Sequence, residues 1–137
     1  MKQPSNILKL RITSETVHLM QVERFVQDVF KKFRIEEKLF GMVLLCLNEA
    51  VKNAIEHGNK FDKEKFVLIQ SYFKREYLYF KVTDQGMGFD YHSIPDPTLN
   101  ENIKNESGRG IHIIRNICEK IGYSKRGSII ELKFKSK

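Results

Sequence analysis

The stretch LNEAVKNAIEHGN, Leu47–Asn59, decides how this chain is read. Most of its positions are leucine, valine and alanine, yet Glu49, Asn53 and His57 stand four residues apart. Residues at i, i+4 and i+8 line one stripe of a helix, so the three polar groups are expected to face one place. The helix reads back to about Glu36, with Leu39, Val43, Cys46, Leu47, Ala50 and Ala54 as apolar positions and Gly58 as its C-terminal stop. A core-forming helix interrupted by a polar stripe needs a chemical reason.

Outward from it, the chain alternates strands and helices. Ile7 to Ile12 has strand alternation, with Leu8, Leu10 and Ile12 on one face. Thr13 or Ser14 offers an N-cap, Glu15 suits a first turn, and Val22, Phe25, Val26, Val29, Phe30 and Phe33 recur at helical spacing. Downstream, Phe66–Tyr72 and Tyr77–Thr83 are rich in aromatic and β-branched residues, and Lys74-Arg75-Glu76 links them as a hairpin. An irregular stretch from Asp84 to about Gly108 contains Pro95 and Pro97; a loop of about 20 residues inside a domain is usually functional. A third helix is expected from about Arg109 to Lys120. Ser124–Arg126, a Gly127-Ser128 turn and a last strand with Ile130, Leu132 and Phe134 on one face follow. The order predicts an α+β fold: a two-layer α/β sandwich, its mixed, mostly antiparallel sheet covered by helices on one face. With no internal repeat, low-complexity tract or linker, residues 1–137 are expected to form one domain.

Composition limits the function classes. At 41% hydrophobic and 30% charged, the 137 residues suit a globular chain with a real core. No apolar run approaches a membrane span, and MKQPSNILKL lacks the apolar stretch of a signal peptide, so a cytoplasmic protein without a membrane partner is expected. Cys46 and Cys118 sit in apolar, helical surroundings without metal-ligand spacing, which suits core packing. The net charge of +7 invites an acidic partner. Much of it, however, alternates along strands, as in Lys9 and Arg11 or Lys133 and Lys135, the pattern of a solvated strand face. Between Asp84 and Ser107, five acids (Asp84, Asp90, Asp96, Glu101, Glu106) face Lys104 alone. No basic helix carries recognition-type polar residues, so direct nucleic-acid binding is not expected.

Two glycine motifs, Asp84-Gln85-Gly86-Met87-Gly88 and Gly108-Arg109-Gly110, stand near the ends of the irregular stretch. Neither is a dinucleotide fingerprint, since Tyr91 and Ile113 occupy the positions of the third glycine, and the chain has no Gly-Lys-Ser/Thr phosphate loop. Gly86 and Gly88 would let backbone approach a flat ligand, and Asp84 at a strand end can accept a hydrogen bond from an exocyclic amine. Gly108 and Gly110, opening a helix, would offer backbone N–H groups and a positive dipole end to phosphates.

Together, E-A-V-x-N-A-I-x-H-G at Glu49–Gly58, D-x-G-x-G-F at Asp84–Phe89 and S-G-x-G at Ser107–Gly110 resemble the ATP-binding domain shared by gyrase B, Hsp90, histidine kinases and MutL, and most of all the anti-sigma-factor serine kinases of bacteria. The resemblance implies ATP and Mg²⁺ as cofactors. Asn53 would hold Mg²⁺ through its side-chain oxygen, and Glu49 would be the general base for a substrate serine. Beside it stands a reading from the residues alone: a carboxylate within reach of a serine hydroxyl contributes roughly 10²- to 10⁴-fold to such a transfer. Without the glycine motifs, Glu49 would be a lysine-paired surface acid and Asn53 a buried hydrogen-bonding residue. His57 either meets the nucleotide or caps the helix end. Asp84 holds the adenine or forms a turn, and Arg109 neutralises a phosphate or starts a helix. Ser128 matches a family hydroxyl that helps Asp84 through water, and also suits a plain turn.

Some relatives carry an arginine before S-G-x-G, where this chain has Glu106. The resemblance further implies an anti-anti-sigma protein as substrate, a sigma factor as bound partner, and a homodimer. Two other readings stand beside it. One is a non-catalytic module in which ATP gates a protein interface; the other is a detached histidine-kinase domain, for which His18 lacks the acid and arginine neighbours of a phosphoacceptor.

Overall fold

Along Leu8–Thr13, strand β1, side chains alternate between the interior and solvent, with Ile12 buried and Lys9 and Arg11 exposed. The computed structural model describes residues 6–86, 120–124 and 128–136. After β1 the first helix opens differently from the expected cap: Thr16–His18 form a 3-10 turn, and neither it nor the helix beyond has a side-chain cap. Ser14 is buried and donates its hydroxyl to the Lys65 carbonyl at 2.8 Å, while the Thr13 hydroxyl donates to Glu15. A buried loop carbonyl needs a donor more than a solvated helix end does, and Ser14 supplies it.

Helix α1, Leu19–Phe33, buries Val22, Phe25, Val26, Val29 and Phe30, the face its periodicity predicts. It stops where Arg34 turns left-handed at φ 55°. A 3-10 turn at Glu37–Leu39 leads into α2, Phe40–Asn53, which buries Val43, Cys46, Leu47, Ala50 and Val51. Cys46 fills core space as expected; Cys118 lies outside the described residues.

The sheet contains β2, Phe66–Lys74, and β3, Tyr77–Thr83, joined as the expected hairpin, then β4, Lys120–Ser124, and β5, Ile129–Lys135. Its spatial order is β1-β2-β3-β5-β4, and each neighbouring pair is antiparallel. Register sets Leu10 opposite Ile69 and Phe80 opposite Leu132. β4 begins at Lys120, where a helix was expected to end, and closes at Ser124, where a strand was expected to start. The rest of that expected helix, and most of the Asp84–Gly108 stretch, lie outside the described residues.

The inner face of the sheet, including Val67, Ile69, Leu78, Phe80, Val82, Leu132 and Phe134, forms one core with α1 and α2. Phe80 joins the layers, its ring edge-on to Phe25 of α1 at 6.5 Å and to Phe134 of β5 at 6.2 Å between centroids. Each such buried side chain contributes about 1.5–3 kcal/mol relative to exposure. α2 lies against β3 and β5, which places its C-terminal end near the exit of β3. On the other face, Arg11 sits over the Phe66 ring at 4.8 Å and Lys133 over Tyr77 at 3.9 Å. The alternating cations therefore lay their stems on aromatic rings and keep their charges toward water. Among the described residues no helix is long and apolar enough to cross a membrane.

Candidate functional site

Past Asn53 the helix changes pitch. Ala54–Gly58 form a π turn, in which the Asn59 N–H reaches back five residues to the Ala54 carbonyl at 2.8 Å. Lys60 and Phe61 then leave in left-handed conformation, at φ 51° and 60°. A π turn holds more residues per revolution than an α turn, so positions on either side of it fall out of step. Along the stripe expected from Glu49, Asn53 and His57 the exposure differs from residue to residue. Glu49 is half-buried and Asn53 is buried, one α-helical turn apart on α2, whereas His57 is exposed within the wide turn.

Asn53 is 6% exposed, and its Nδ2 has no hydrogen-bond partner among the described residues. A buried amide group without a partner costs about 1–3 kcal/mol, and Asn48 Oδ1 on the same helix likewise has none among the described residues. Rotating the carboxamide by half a turn exchanges its nitrogen and oxygen without changing shape, so this end of the side chain offers either a donor or an oxygen lone pair.

Asp84 follows β3 directly. Its N–H donates to the Ser128 carbonyl at 2.9 Å, extending the β3–β5 pairing by one bond, and its Oδ1 accepts the Gly86 N–H at 2.8 Å. Burial pushes its carboxyl above the ordinary range, against the opposing pull of the Gly86 N–H and the Lys65 ammonium. Two glycines make room here. A Cβ on Gly58 would fall onto the Asp84 carboxylate, and one on Gly86 would overlap the Gly58 carbonyl. The end of the π turn, the strand end and the following loop thus pack backbone to backbone around one carboxyl group.

The structure brings Asp84 and Gly86 against the end of the α2 segment and sets Ser128, also buried, beside Asp84 through its carbonyl. Gly88, Gly108, Arg109 and Gly110 lie outside the described residues. Sequence reading missed Asn59. This residue is 1% exposed; its Oδ1 accepts the Gln85 N–H at 2.8 Å, and its Nδ2 donates to Ser14 Oγ at 2.8 Å and to the Phe66 carbonyl at 3.0 Å. An asparagine after a helix-ending glycine reads as a solvated loop residue, and nothing in its spacing ties it to positions 14, 66 and 85. Among the described residues, no three His, Cys, Asp or Glu side chains gather as a metal cage.

A buried acceptor beside a bare glycine backbone suits the edge of a flat polar ligand. The unsatisfied carboxamide and the half-buried acid of α2 lie on the helix that ends over it. No curated protein matches the chain by sequence. Among solved structures, the RsbU and RsbW domains of Rv1364c from Mycobacterium tuberculosis share its fold, with a TM-score of 0.66 at 13% identity. The match covers 96% of this chain and 33% of that one, so the chain spans a third of that protein's length. The model of the histidine kinase-like ATPase domain matches residues 12–134, nearly the whole chain, and the chain therefore belongs to the histidine kinase-like ATPase domain family.

Proposed function

We propose that this chain is an ATP-dependent serine-protein kinase of the anti-sigma type, one domain over residues 1–137, which binds a sigma factor and phosphorylates an anti-anti-sigma protein on serine. The observation that carries the reading is the packing of Gly58 and Gly86 around the buried Asp84 carboxyl, at the end of the helix that bears Glu49 and Asn53. Family membership supports nucleotide binding, and the fold shared with a structure containing an RsbW domain is consistent with the anti-sigma assignment.

In this reading the Asp84 carboxylate accepts a hydrogen bond from the adenine amine, with Ser128 assisting, and Gly86 and Gly88 leave space for the ring. The backbone N–H groups of Gly108 and Gly110 receive phosphate oxygens, Arg109 balances their charge, and His57 flanks the site. The Asn53 carboxamide has an end without a partner among the described residues, and turned so that its oxygen lies there it would hold Mg²⁺, a hard cation that takes few protein oxygens. When bound, the ion would supply charge neutralisation at the phosphates. Glu49 takes the proton of the substrate serine hydroxyl as its oxygen forms a bond to the γ-phosphorus and ADP leaves. A cytoplasmic homodimer is the assembly this reading assigns.

Incubation with labelled ATP, Mg²⁺ and candidate antagonist proteins is expected to label a serine, and Glu49→Ala to stop labelling while ATP still binds. Titration calorimetry without heat from ATP and Mg²⁺ would sink the nucleotide reading altogether. If ATP binds but neither protein transfers phosphate and both hold the partner equally well, the chain is instead an ATP-gated binding module.

A further inference from the structure

We infer that Asn59 is a positioning residue for the nucleotide site: its carboxamide holds the backbone that follows Asp84 and so sets the direction in which the Asp84 carboxyl faces. The inference rests on the proposed role of Asp84 toward the base.

An asparagine just beyond a helix is usually wet, but this one is enclosed, and both of its Nδ2 hydrogens and its Oδ1 are engaged. Its partners come from three separate places: the β1–α1 junction at Ser14, the first residue of β2 at Phe66, and the loop after β3 at Gln85. Gln85 returns the grip, its Oε1 accepting the Phe66 N–H at 2.7 Å, so residues 66 and 85 are joined both directly and through Asn59. Ser14 is fixed in turn by its bond to the Lys65 carbonyl. The Gln85 amide cannot shift without breaking these bonds, and the residues on either side of it are Asp84 and Gly86, themselves joined through the carboxylate.

Residues 58 and 59 thus divide one task. Gly58 leaves the volume that the Asp84 carboxylate occupies, and Asn59 clamps the loop that carries it. No other side chain supplies this set of bonds at this length. Asp in its place keeps the acceptor for Gln85 but turns a negative oxygen toward the Phe66 carbonyl. Ala and Ser are too short, and Gln is a methylene too long. Position matters to selectivity because adenine presents an amine where guanine presents a carbonyl, and a carboxylate accepts from the first and repels the second.

The test compares wild type, Asn59→Ala, Asn59→Asp and the milder Ser14→Ala and Gln85→Ala. Three quantities are read: amide hydrogen exchange at Gly86 without nucleotide, calorimetric affinities for ATP and GTP, and affinity for tripolyphosphate. Loss of the clamp is expected to speed Gly86 exchange about tenfold relative to amides of Val82 and Ile130. ATP affinity should fall about tenfold, the loss of roughly one hydrogen bond, and the ATP-over-GTP preference should shrink with it. Tripolyphosphate binding should stay as in wild type. Should Asn59→Asp or Asn59→Ala fail to fold, Gln85→Ala is expected to move the same quantities by a smaller factor.

Variants that melt earlier yet keep wild-type Gly86 exchange and the wild-type ATP:GTP ratio would show that Asn59 only stabilises the fold, and would overturn the inference. Wild type that takes up no ATP, with Gly86 exchange still accelerated in the variants, would reject the nucleotide reading and leave the placement of Asp84 by Asn59 standing.

Discussion

At the scale of single residues, the site depends on atoms that are missing. Gly58→Ala puts a methyl group where the Asp84 carboxylate lies, and Gly86→Ala puts one against a backbone carbonyl that cannot swing aside. Overpacking of this kind costs about 1–3 kcal/mol. Both variants are expected to unfold at lower urea and to lose ATP affinity, Gly86→Ala the more severely. Gly41→Ala is the control, since nothing lies within 4 Å of its Cβ, and it should hold or raise stability. Wild-type urea midpoints and ATP affinity in Gly58→Ala would contradict the packing described. Asp84 itself makes a pH prediction. Because burial raises its carboxyl above the unfolded value, the stability tied to its proton is present below the unfolded value and lost as pH rises through the folded one. Asp84→Asn keeps the acceptor for Gly86 and has no such loss. Its melting temperature should exceed that of wild type near neutral pH, with the gap closing in acid.

At the scale of elements, the first two helices and the hairpin were legible because each has one dominant period. Val22, Phe25, Val26, Val29 and Phe30 bury as their spacing predicts, and Val67, Ile69, Leu78, Phe80 and Val82 alternate inward as strand residues do. Phe80 is the test of that core: it touches both Phe25 and Phe134, and Phe80→Ala should cost about 3–5 kcal/mol by urea denaturation. A cost below about 1 kcal/mol would mean that the layers do not meet through this ring. What periodicity hid were the departures from it. The α2 pattern carries no mark of a widening after Asn53, so the turn that holds His57 was read as ordinary α-helix. Ser14 was read by the local rule for caps and Asn59 was not singled out, whereas their bonds go to partners distant in sequence. The acid, the asparagine of α2 and the Asp84 motif were visible because they recur as a pattern; the clamp behind them is visible only in three dimensions.

At the scale of the whole molecule, the two faces of the sheet play different parts. The inner face holds the core, and the outer face carries cations seated on rings and a stacked Tyr72–Tyr79 pair with centroids 4.7 Å apart. Burial, helped by the nearby Glu131 carboxylate and by Tyr79, pushes the Tyr72 phenol up to about 12. The sign is that of a raised folded value: stability present below the ordinary phenol range is lost as pH climbs from there toward about 12. Tyr72→Phe should therefore lose less stability than wild type across that alkaline window, as thermal melts against pH would show. Identical alkaline profiles for the two proteins would mean that the phenol is more open to water than the structure has it. The wide turn after α2 has a consequence for the chain as a polymer. It contains a surplus residue, and excising one from Ala54–Gly58 would regularise the helix. The wide turn makes about the same rotation with one residue more, so the chain beyond the cut would keep its direction; what the cut removes is a seat, since Ala54 and Ile55 are buried in the core and Gly58 lies against Asp84. The shortened protein would keep a helix of the right heading and still be poorer for the loss, because the extra residue lets one turn fill the core with Ala54 and Ile55 and also bring the bare backbone of Gly58 to the carboxylate.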